Sequence, residues 1–261
     1  MENFRYKKNL GQNFLQDEKV LQKIVGSIDC KEDDCIIEIG PGHGALTKYL
    51  VKFSCPVIAF EIDKEVKPVL DKINADNLKI VYEDFMKVNV KKYLPNNYKN
   101  LYIVANIPYY ITTPILEKII EEKLNENSCT LMVQKEVADR FSAKCGSKEY
   151  RSITFYLDYY YNINKLFEVP RKAFYPVPNV DSAILKLTRK EDKVFLDEDK
   201  FFKFVKSAFQ FKRKNLRNNL KSYDIEKINS VLIKYDQNLQ NRAEEISLEE
   251  FIDIFKNIEE E

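Results

Sequence analysis

The chain has 261 residues, of which 44% are hydrophobic and 32% charged, as in an ordinary globular protein. This composition excludes a chain that is disordered throughout, and the length is near that of two domains at roughly one per 150 residues. The 42 Lys and Arg residues balance 41 Asp and Glu residues to a formal net charge of +1, so any surface that binds nucleic acid must be local.

The histidine and cysteine content argues against a metal centre and against a disulfide framework. A single histidine excludes multi-His metal sites and makes a His-based triad improbable. The five cysteines are odd in number and form no C-x-x-C pair, so we expect thiols in a reducing cytoplasm. Arg5, Lys7 and Lys8 are not followed by the apolar region of a signal peptide, and no run approaches the roughly 18 apolar residues of a membrane span. We therefore expect a soluble, cytoplasmic protein without a metal. We also expect it to be a monomer.

The first two-thirds of the chain alternates strand-like and helix-like segments. Strands are predicted at residues 36–39, 57–60, 78–82, 101–105, 130–133, 153–161 and 183–187. Helices are predicted at residues 45–52, 64–73, 115–123 and 135–143, with a boundary or kink at Pro68. This alternation favours a mostly parallel, doubly wound α/β sheet, in which ligands bind at the carboxyl ends of the strands.

The last quarter of the chain differs in pattern. Residues 190–200 form a charged link, after which apolar residues repeat at helical spacing from Phe201 to Phe209. Short helices are predicted within residues 224–258, where Ser247 begins a capping box. We therefore predict a large α/β domain at residues 1–189 and a small, all-helical C-terminal domain at residues 190–261.

A glycine-rich loop follows the first predicted strand of the sheet. Its sequence at residues 38–44 is EIGPGHG, which places Gly40, Gly42 and Gly44 where a ligand could approach the backbone. The spacing is neither the G-x-G-x-x-G of a dinucleotide site nor a phosphate-binding P-loop. Glu61 ends the next strand, where it could bind two ribose hydroxyls, and Asp84 ends the third, where it could bind an adenine amine. This order fits S-adenosylmethionine; the alternative is a tight turn without a ligand. Glu38 has two possible roles from its position: it could shape the loop through backbone amides, or it could lie near the methionine part of S-adenosylmethionine.

The fourth strand ends in Asn106, followed by Ile107, Pro108 and Tyr109. The lone pair of an exocyclic adenine amine is delocalised into the ring. Acceptors on both amine protons, here the Asn106 side-chain oxygen and the Pro108 carbonyl, would aim the nitrogen at a methyl group. Tyr109 offers a stacking face for the base. The alternative interpretation is a strand-end turn with a buried tyrosine.

A proline-rich segment, FYPVP at residues 174–178, precedes the last predicted strand. Its two prolines stiffen a loop that could present Phe174 to the opposite face of the base. The alternative is a simple connection into the strand, with Phe174 in the core.

Five motifs in this order resemble one family, the small-subunit ribosomal RNA adenine dimethyltransferases (the RsmA/KsgA family). They are NLGQNFL at 9–15, EIGPGHG at 38–44, NIPY at 106–109, FYPVP at 174–178 with VDSA at 180–183, and FKRKNLRNNL at 211–220. The resemblance runs from about residue 5 to residue 255. One departure is Arg151, where the family usually has glycine, which puts the local backbone path in question.

The resemblance implies a Rossmann-like class I methyltransferase sheet and a small helical domain. It implies dimethylation of two adjacent adenosines near the 3′ end of small-subunit rRNA. The implied S-adenosylmethionine site is lined by Asn13, Leu15, Gly40, Glu61, Asp84 and Asn106. Residues 12–15 would form an N-terminal lid.

Two other functions remain open. The related large-subunit rRNA methylases that confer macrolide resistance share the cofactor loop and an NIPY-like motif, whereas the VDSA and FKRKNLRNNL segments favour the small-subunit enzyme. A protein that acts mainly as an RNA-binding ribosome-assembly factor on the same fold is the second alternative. The presence of Glu61, Asp84 and the NIPY motif argues against lost activity.

A basic stretch predicts where RNA binds. Residues 201–223 contain no acid and seven basic residues, Lys203, Lys206, Lys212, Arg213, Lys214, Arg217 and Lys221. In a chain whose overall charge is balanced, this favours a phosphate-contacting surface over an ordinary solvated helix face. Eight Asp and Glu residues within 244–261 offset it in the net charge.

Overall fold

The computed structural model describes residues 13–106, 111–191, 194 and 196–259. The chain divides into two compact units, Met1–Ala138 with Asn164–Arg189, and Asp139–Ile163 with Lys190–Glu261. The sequence analysis placed residues 139–163 in the first domain. They belong instead to the helical unit, because their aromatic side chains pack on helices that follow residue 190.

Nine strands are present in the described part of the chain. They are β1 (Phe14–Leu15), β2 (Cys35–Ile39), β3 (Val57–Phe60), β4 (Leu78–Val81), β5 (Leu101–Asn106), β6 (Ser128–Gln134), β7 (Tyr161–Val169), β8 (Phe174–Tyr175) and β9 (Ser182–Arg189). Seven form one sheet in the order β4-β3-β2-β5-β6-β9-β7. Strands β2 to β6 are parallel to one another, and β9 runs antiparallel to β6. The predicted α/β sheet is therefore confirmed.

Ten α-helices accompany these strands within the described residues. They are α1 (Glu18–Val25), α2 (Thr47–Leu50), α3 (Lys67–Leu70), α4 (Thr112–Glu121), α5 (Lys135–Phe141), α6 (Ser152–Tyr160), α7 (Glu198–Ala208), α8 (Leu216–Asn219), α9 (Ile225–Leu232) and α10 (Leu248–Glu259). Pro68 lies in the first turn of α3, where its missing N–H costs no helical hydrogen bond. A 3₁₀ helix, Lys64–Val66, precedes it, so the predicted helix at 64–73 is divided.

The register of the central strands places the site residues side by side. Ile39 at the end of β2 pairs with Phe60 of β3 on one side and with Ala105 of β5 on the other. The residues that follow these three, Gly40, Glu61 and Asn106, therefore meet at one edge of the sheet. Strands β2 and β3 are buried along their whole length, which explains why they read as continuous apolar runs.

The two shortest strands, β1 and β8, form a separate antiparallel pair that the sequence analysis did not predict. Phe14 lies opposite Tyr175, and Leu15 lies opposite Phe174. The N–H of Gln16 extends the pairing by donating to the carbonyl of Ala173 at 2.9 Å. Phe174 therefore lies in a strand rather than in the predicted loop, and its side chain is buried.

The predicted strand at residues 153–161 is wrong, because this segment forms helix α6. Its aromatic and β-branched residues have a preference for strands, but tertiary packing overrides it. The Phe155 ring packs against Phe201, Phe209 and Phe251, with centroid distances of 5.9, 6.3 and 5.1 Å. The strand begins only where the helix ends, as β7, which the sequence analysis missed.

The second unit confirms the predicted helical pattern after residue 200. Phe201, Phe204 and Phe251 are fully buried, and Phe201 and Phe204 both pack against Phe255. The capping box is also present at the start of α10. The Ser247 N–H donates to Glu250 Oε2 at 2.5 Å, and the Glu250 N–H donates to Ser247 Oγ at 3.2 Å.

Arg151, where the family resemblance put the backbone path in question, causes no backbone strain. Its φ and ψ angles are −137° and 174°, an extended conformation that any residue adopts. The path of the chain into α6 therefore does not require glycine. Across the described residues, no helix has the length and apolar character needed to cross a bilayer.

Candidate active site

A cavity of about 670 Å³ opens at the carboxyl edge of the sheet in the first unit. This volume lies within the range of small-molecule sites, roughly 300–1,000 Å³. The cavity brings together all the described residues that the sequence analysis predicted for cofactor and base: Asn13, Leu15, Gly40, Glu61, Asp84, Asn106 and Phe174. These residues span some 160 positions of the sequence, and the fold converges them on one site.

Two glycines in the loop after β2 are required by their surroundings. Gly44 has φ +75°, and a Cβ there would lie 2.4 Å from Ile73 Cδ1. Gly42 has φ +56°, and a Cβ there would lie 3.0 Å from Phe14 Cε1. The left-handed backbone and the absence of side chains let the loop turn tightly beneath the Phe14 ring.

The Glu61 carboxylate ties the loop to the end of β3. Its Oε2 accepts a hydrogen bond from the Gly42 N–H at 2.9 Å, and its Oε1 accepts one from the Asp63 N–H at 2.7 Å. Burial raises the pKa of Glu61, and these backbone bonds oppose the increase. A carboxylate has about four lone-pair positions, so both oxygens keep acceptor capacity toward the cavity.

Glu38, within β2, is a buried acid in the cavity wall. Burial raises its pKa to about 8, the nearby Thr47 hydroxyl opposes the increase, and the negative charge of Glu61 adds to it. No described group donates a hydrogen bond to its Oε2 atom, which is shielded from solvent. An acceptor buried in this way is costly unless a ligand supplies a donor or a positive charge.

Asp84 lies in the turn after β4 and Asn106 is the last residue of β5, on opposite sides of the loop. Asp84 Oδ1 accepts a hydrogen bond from the Met86 N–H at 2.9 Å, which fixes the carboxylate at the turn after β4. Asn106 is the last residue of β5, is half-buried, and pairs in register with Met132 of β6, which also lines the cavity. Both side chains can therefore present acceptor atoms to a ligand.

The structure adds site residues that the sequence analysis missed. The Phe14 ring stacks on the His43 ring, with centroids 4.1 Å apart and planes 4° from parallel. Ile62 lines the cavity with 57% of its surface exposed. For Ile62, the sequence signal was an apolar residue directly after the acid that follows a strand. No local pattern indicated the stacking of Phe14 on His43.

Some predicted positions lie outside the described residues. Pro108 and Tyr109 are among them, so their roles stay predictions. The same holds for the basic residues Arg5, Lys7 and Lys8 and for Gln12 of the N-terminal lid. Of that lid, Asn13 and Leu15 line the cavity.

The basic stretch lies in the second unit, on α7, on α8, in the turn between them and just after α8. All seven predicted cations are exposed: Lys203, Lys206, Lys212, Arg213, Lys214, Arg217 and Lys221. Within the part of the chain that the structure describes, none forms an ion pair with an acidic side chain, whereas Lys200 nearby pairs with Glu259. Their charges are therefore available to an external anion.

The raised pKa of Glu38 predicts a pH-dependent stability. Folding holds the proton on Glu38 up to about pH 8, whereas the unfolded chain releases it near 4.5. The free energy of unfolding should therefore fall as pH rises between these values, at up to about 1.4 kcal/mol per pH unit. We expect Glu38→Gln to remove this decline, so that the variant becomes more stable relative to wild type at pH 8 than at pH 5.

Urea unfolding of the ligand-free protein at pH 5 to 8.5 measures this difference. The exposed Glu32 offers a control, because Glu32→Gln should follow wild type at every pH. A constant difference between Glu38→Gln and wild type would contradict a proton held on Glu38.

Comparison with known proteins decides the family. The sequence pattern of a family described as ribosomal RNA adenine dimethylase matches residues 3–260. The chain belongs to the ribosomal RNA adenine dimethylase family. The resemblance drawn from the five motifs is thereby confirmed, and the protein is an rRNA adenine methyltransferase.

Individual relatives agree with this family. A protein of Mycoplasma mobile named ribosomal RNA small subunit methyltransferase A is 45% identical over 93% of this chain and 94% of its own. A dimethyladenosine transferase from Plasmodium falciparum has a similar structure, with a TM-score of 0.79 and 26% identity over 92% of this chain and 95% of its own. The 23S rRNA methyltransferase ErmE has a TM-score of 0.78 and 24% identity, over 95% of this chain and 100% of its own. The fold is therefore shared with an enzyme of 23S rRNA, whereas the relative of higher sequence identity is named for the small subunit.

Proposed function

We propose that the protein uses S-adenosylmethionine to dimethylate the N6 amines of two adjacent adenosines near the 3′ end of small-subunit (16S) rRNA. It would act as a monomer in the cytoplasm during ribosome biogenesis. The observation that carries the proposal is the convergence of Asn13, Leu15, Gly40, Glu61, Asp84, Asn106 and Phe174 on one cavity. The small-subunit relative at 45% identity supports the choice of RNA.

The residues of the cavity fit this cofactor. Glu61 and Asp84 present carboxylate acceptors for ribose hydroxyls and an adenine amine, and the exposed face of Ile62 lies beside them for the apolar base. The ligand-free protein holds a proton on the buried Glu38, and the positive charge of S-adenosylmethionine would favour the charged form of this acid. When bound, the cofactor supplies a methyl group activated by a positively charged sulfur.

Asn106 would position the amine that accepts the methyl group. Its side-chain oxygen can accept a bond from one amine proton, and the predicted second acceptor is the Pro108 carbonyl. Two acceptors favour the tetrahedral geometry and the positive charge that develop on nitrogen during transfer. The proton then leaves to water, so no histidine base is needed.

Aromatic side chains would hold the base against this acceptor. Phe174 lines the cavity from β8, and Tyr109 is the predicted partner on the other face of the base. Stacking on an aromatic ring is typically worth about 1–3 kcal/mol per base. The extruded adenine would then be held by its faces, while Asn106 reads its amine.

The seven exposed cations of the second unit would bind the RNA backbone. We expect the triple variant Arg213→Ala, Lys214→Ala, Arg217→Ala to bind small subunits more weakly. Its logarithmic salt dependence should be shallower by about one for each phosphate that the variant no longer neutralises. Filter binding over a range of salt concentrations measures both, and calorimetry should show unchanged cofactor affinity.

A charge-matched control removes three exposed lysines elsewhere in the same unit, Lys144, Lys234 and Lys256. If this control weakens binding as much as the triple variant, net charge rather than the basic stretch determines affinity. If neither variant changes the salt dependence, another surface binds the RNA.

One experiment tests the reaction as a whole. The protein is mixed with labelled S-adenosylmethionine and with unmethylated small and large ribosomal subunits, and the label is mapped on the RNA. We expect dimethyladenosine at two adjacent positions near the 3′ end of the small-subunit rRNA. Label on the large subunit would instead support the macrolide-resistance type of activity, and binding without transfer would support an assembly factor.

A further inference from the structure

Two cysteines that lie 25 positions apart meet in the first unit. The Sγ atoms of Cys30 and Cys55 are 3.0 Å apart, about 1 Å more than the 2.05 Å of a disulfide bond. All five cysteines of the chain are free thiols. Cys30 is partly exposed and Cys55 is fully buried, so the pair reaches from the surface into the core.

Hydrogen bonds between the backbone and neighbouring side chains fix the chain at both cysteines. The Asn77 Nδ2 atom donates to the carbonyls of Phe53 and Cys55 at 2.8 and 2.9 Å. The Lys31 N–H, next to Cys30, donates to Asp34 Oδ2 at 2.7 Å. The fold therefore holds the two thiols together, and little backbone movement is needed to bring the sulfurs within bonding distance.

We propose that Cys30 and Cys55 form an intramolecular disulfide when the protein meets hydrogen peroxide. The partly exposed Cys30 sulfur attacks one peroxide oxygen; an S–O bond forms, the O–O bond breaks, and the first water leaves. The Cys55 sulfur then attacks the Cys30 sulfur; the S–S bond forms, the S–O bond breaks, and a second water leaves. The two thiols are oxidised and the peroxide is reduced.

The second step is favoured by the contact itself. The two thiols share a hydrogen bond in which either sulfur can be the donor, and this contact lowers the pKa of the Cys55 thiol and raises the pKa of the Cys30 thiol. Cys30 therefore meets peroxide first because its sulfur is the accessible one, not because it is the more acidic thiol. A larger thiolate fraction makes Cys55 the better attacking sulfur. Its burial also keeps it from a second peroxide molecule, which protects it from irreversible oxidation.

The position of the disulfide gives it a structural consequence. The loop that it closes contains β2, the glycine loop and α2, and the bridge joins the segment after α1 to the segment after α2. Both helices line the cavity, α1 through Leu21 and Ile24 and α2 through Tyr49. The bond would therefore restrain the part of the chain that shapes one wall of the site. Closing a loop of this length removes conformational freedom from the unfolded chain and stabilises the fold.

Peptide mapping and thermal unfolding test the proposal on the full chain. Reduced protein is exposed to hydrogen peroxide, remaining thiols are alkylated, and the digest is analysed by mass spectrometry without reductant. We expect a Cys30–Cys55 peptide that has lost two hydrogen atoms. The melting temperature should rise by about 5 °C or more and return to its starting value on reduction.

Three single variants provide the controls. Cys30→Ser should abolish both the linked peptide and the rise in melting temperature. Cys145→Ser removes an exposed thiol, and Cys35→Ser removes a buried thiol at the start of β2. Both variants should preserve the linked peptide and the rise in melting temperature. The proposal is overturned if Cys30 and Cys55 of the wild type are alkylated separately after oxidation, or if either links to Cys35 instead. It is equally overturned if the linked protein melts no higher than the reduced one.

Discussion

The Asn106→Ala variant should lose methyl transfer by a factor on the order of 10²–10³. Asn106 lies at the end of β5 with its side chain in the cavity wall, where the proposed reaction places the amine that accepts the methyl group. Without this acceptor the aromatic side chains still hold the faces of the base, but nothing at position 106 aims the nitrogen lone pair at the methyl group. Because the interaction strengthens as positive charge develops on nitrogen, the loss should appear in the rate of the chemical step more than in binding.

Single-turnover methylation of small subunits at saturating cofactor measures this effect, with monomethyl and dimethyl products resolved. Both steps should slow, because monomethyladenosine has only one amine proton left to position. Asn106→Asp keeps an acceptor oxygen at the same place and should recover part of the rate. Rates for Asn106→Ala within a few-fold of wild type would rule out positioning by this side chain.

The Glu61→Ala variant should bind S-adenosylmethionine on the order of 10²-fold more weakly. Two ribose hydroxyls would lose their acceptor, and an unmade buried hydrogen bond costs about 1–3 kcal/mol, where 1.4 kcal/mol is a factor of ten. The substitution also frees the Gly42 N–H, which now donates to Glu61 at 2.9 Å, and so loosens the loop. Calorimetry gives the affinity directly.

Methyl transfer separates this role from that of Asn106. At cofactor concentrations high enough to saturate Glu61→Ala, the single-turnover rate should return to within a few-fold of wild type, since Glu61 does not contact the amine. Glu61→Gln retains one acceptor oxygen but turns an NH2 group toward a backbone N–H, so its affinity should be intermediate. Equal affinities for wild type and Glu61→Ala would remove Glu61 from the cofactor site.

The sequence was sufficient to predict most strands of the first unit, because apolar strand segments and helical segments alternate along the chain. The strand at 57–60 was predicted with the bounds that the structure has, since a strand buried on both faces is a continuous apolar run. The same reasoning failed at 153–161. A helix buried among aromatic side chains is also apolar throughout, and propensity then points to the wrong element. Only the packing of Phe155 against Phe201 and Phe251 distinguishes the two.

The sequence by itself determined which groups stand at the carboxyl ends of successive strands. Gly40, Glu61, Asp84 and Asn106 could be placed because chain order and the parallel alternation dictate that strand ends share one edge. What only the tertiary structure decided depends on residues distant in sequence. The pairing of β1 with β8, the stacking of Phe14 on His43, and the contact between Cys30 and Cys55 have no local pattern. The raised pKa of Glu38 likewise comes from burial, and burial exists only once the chain has closed around the side chain.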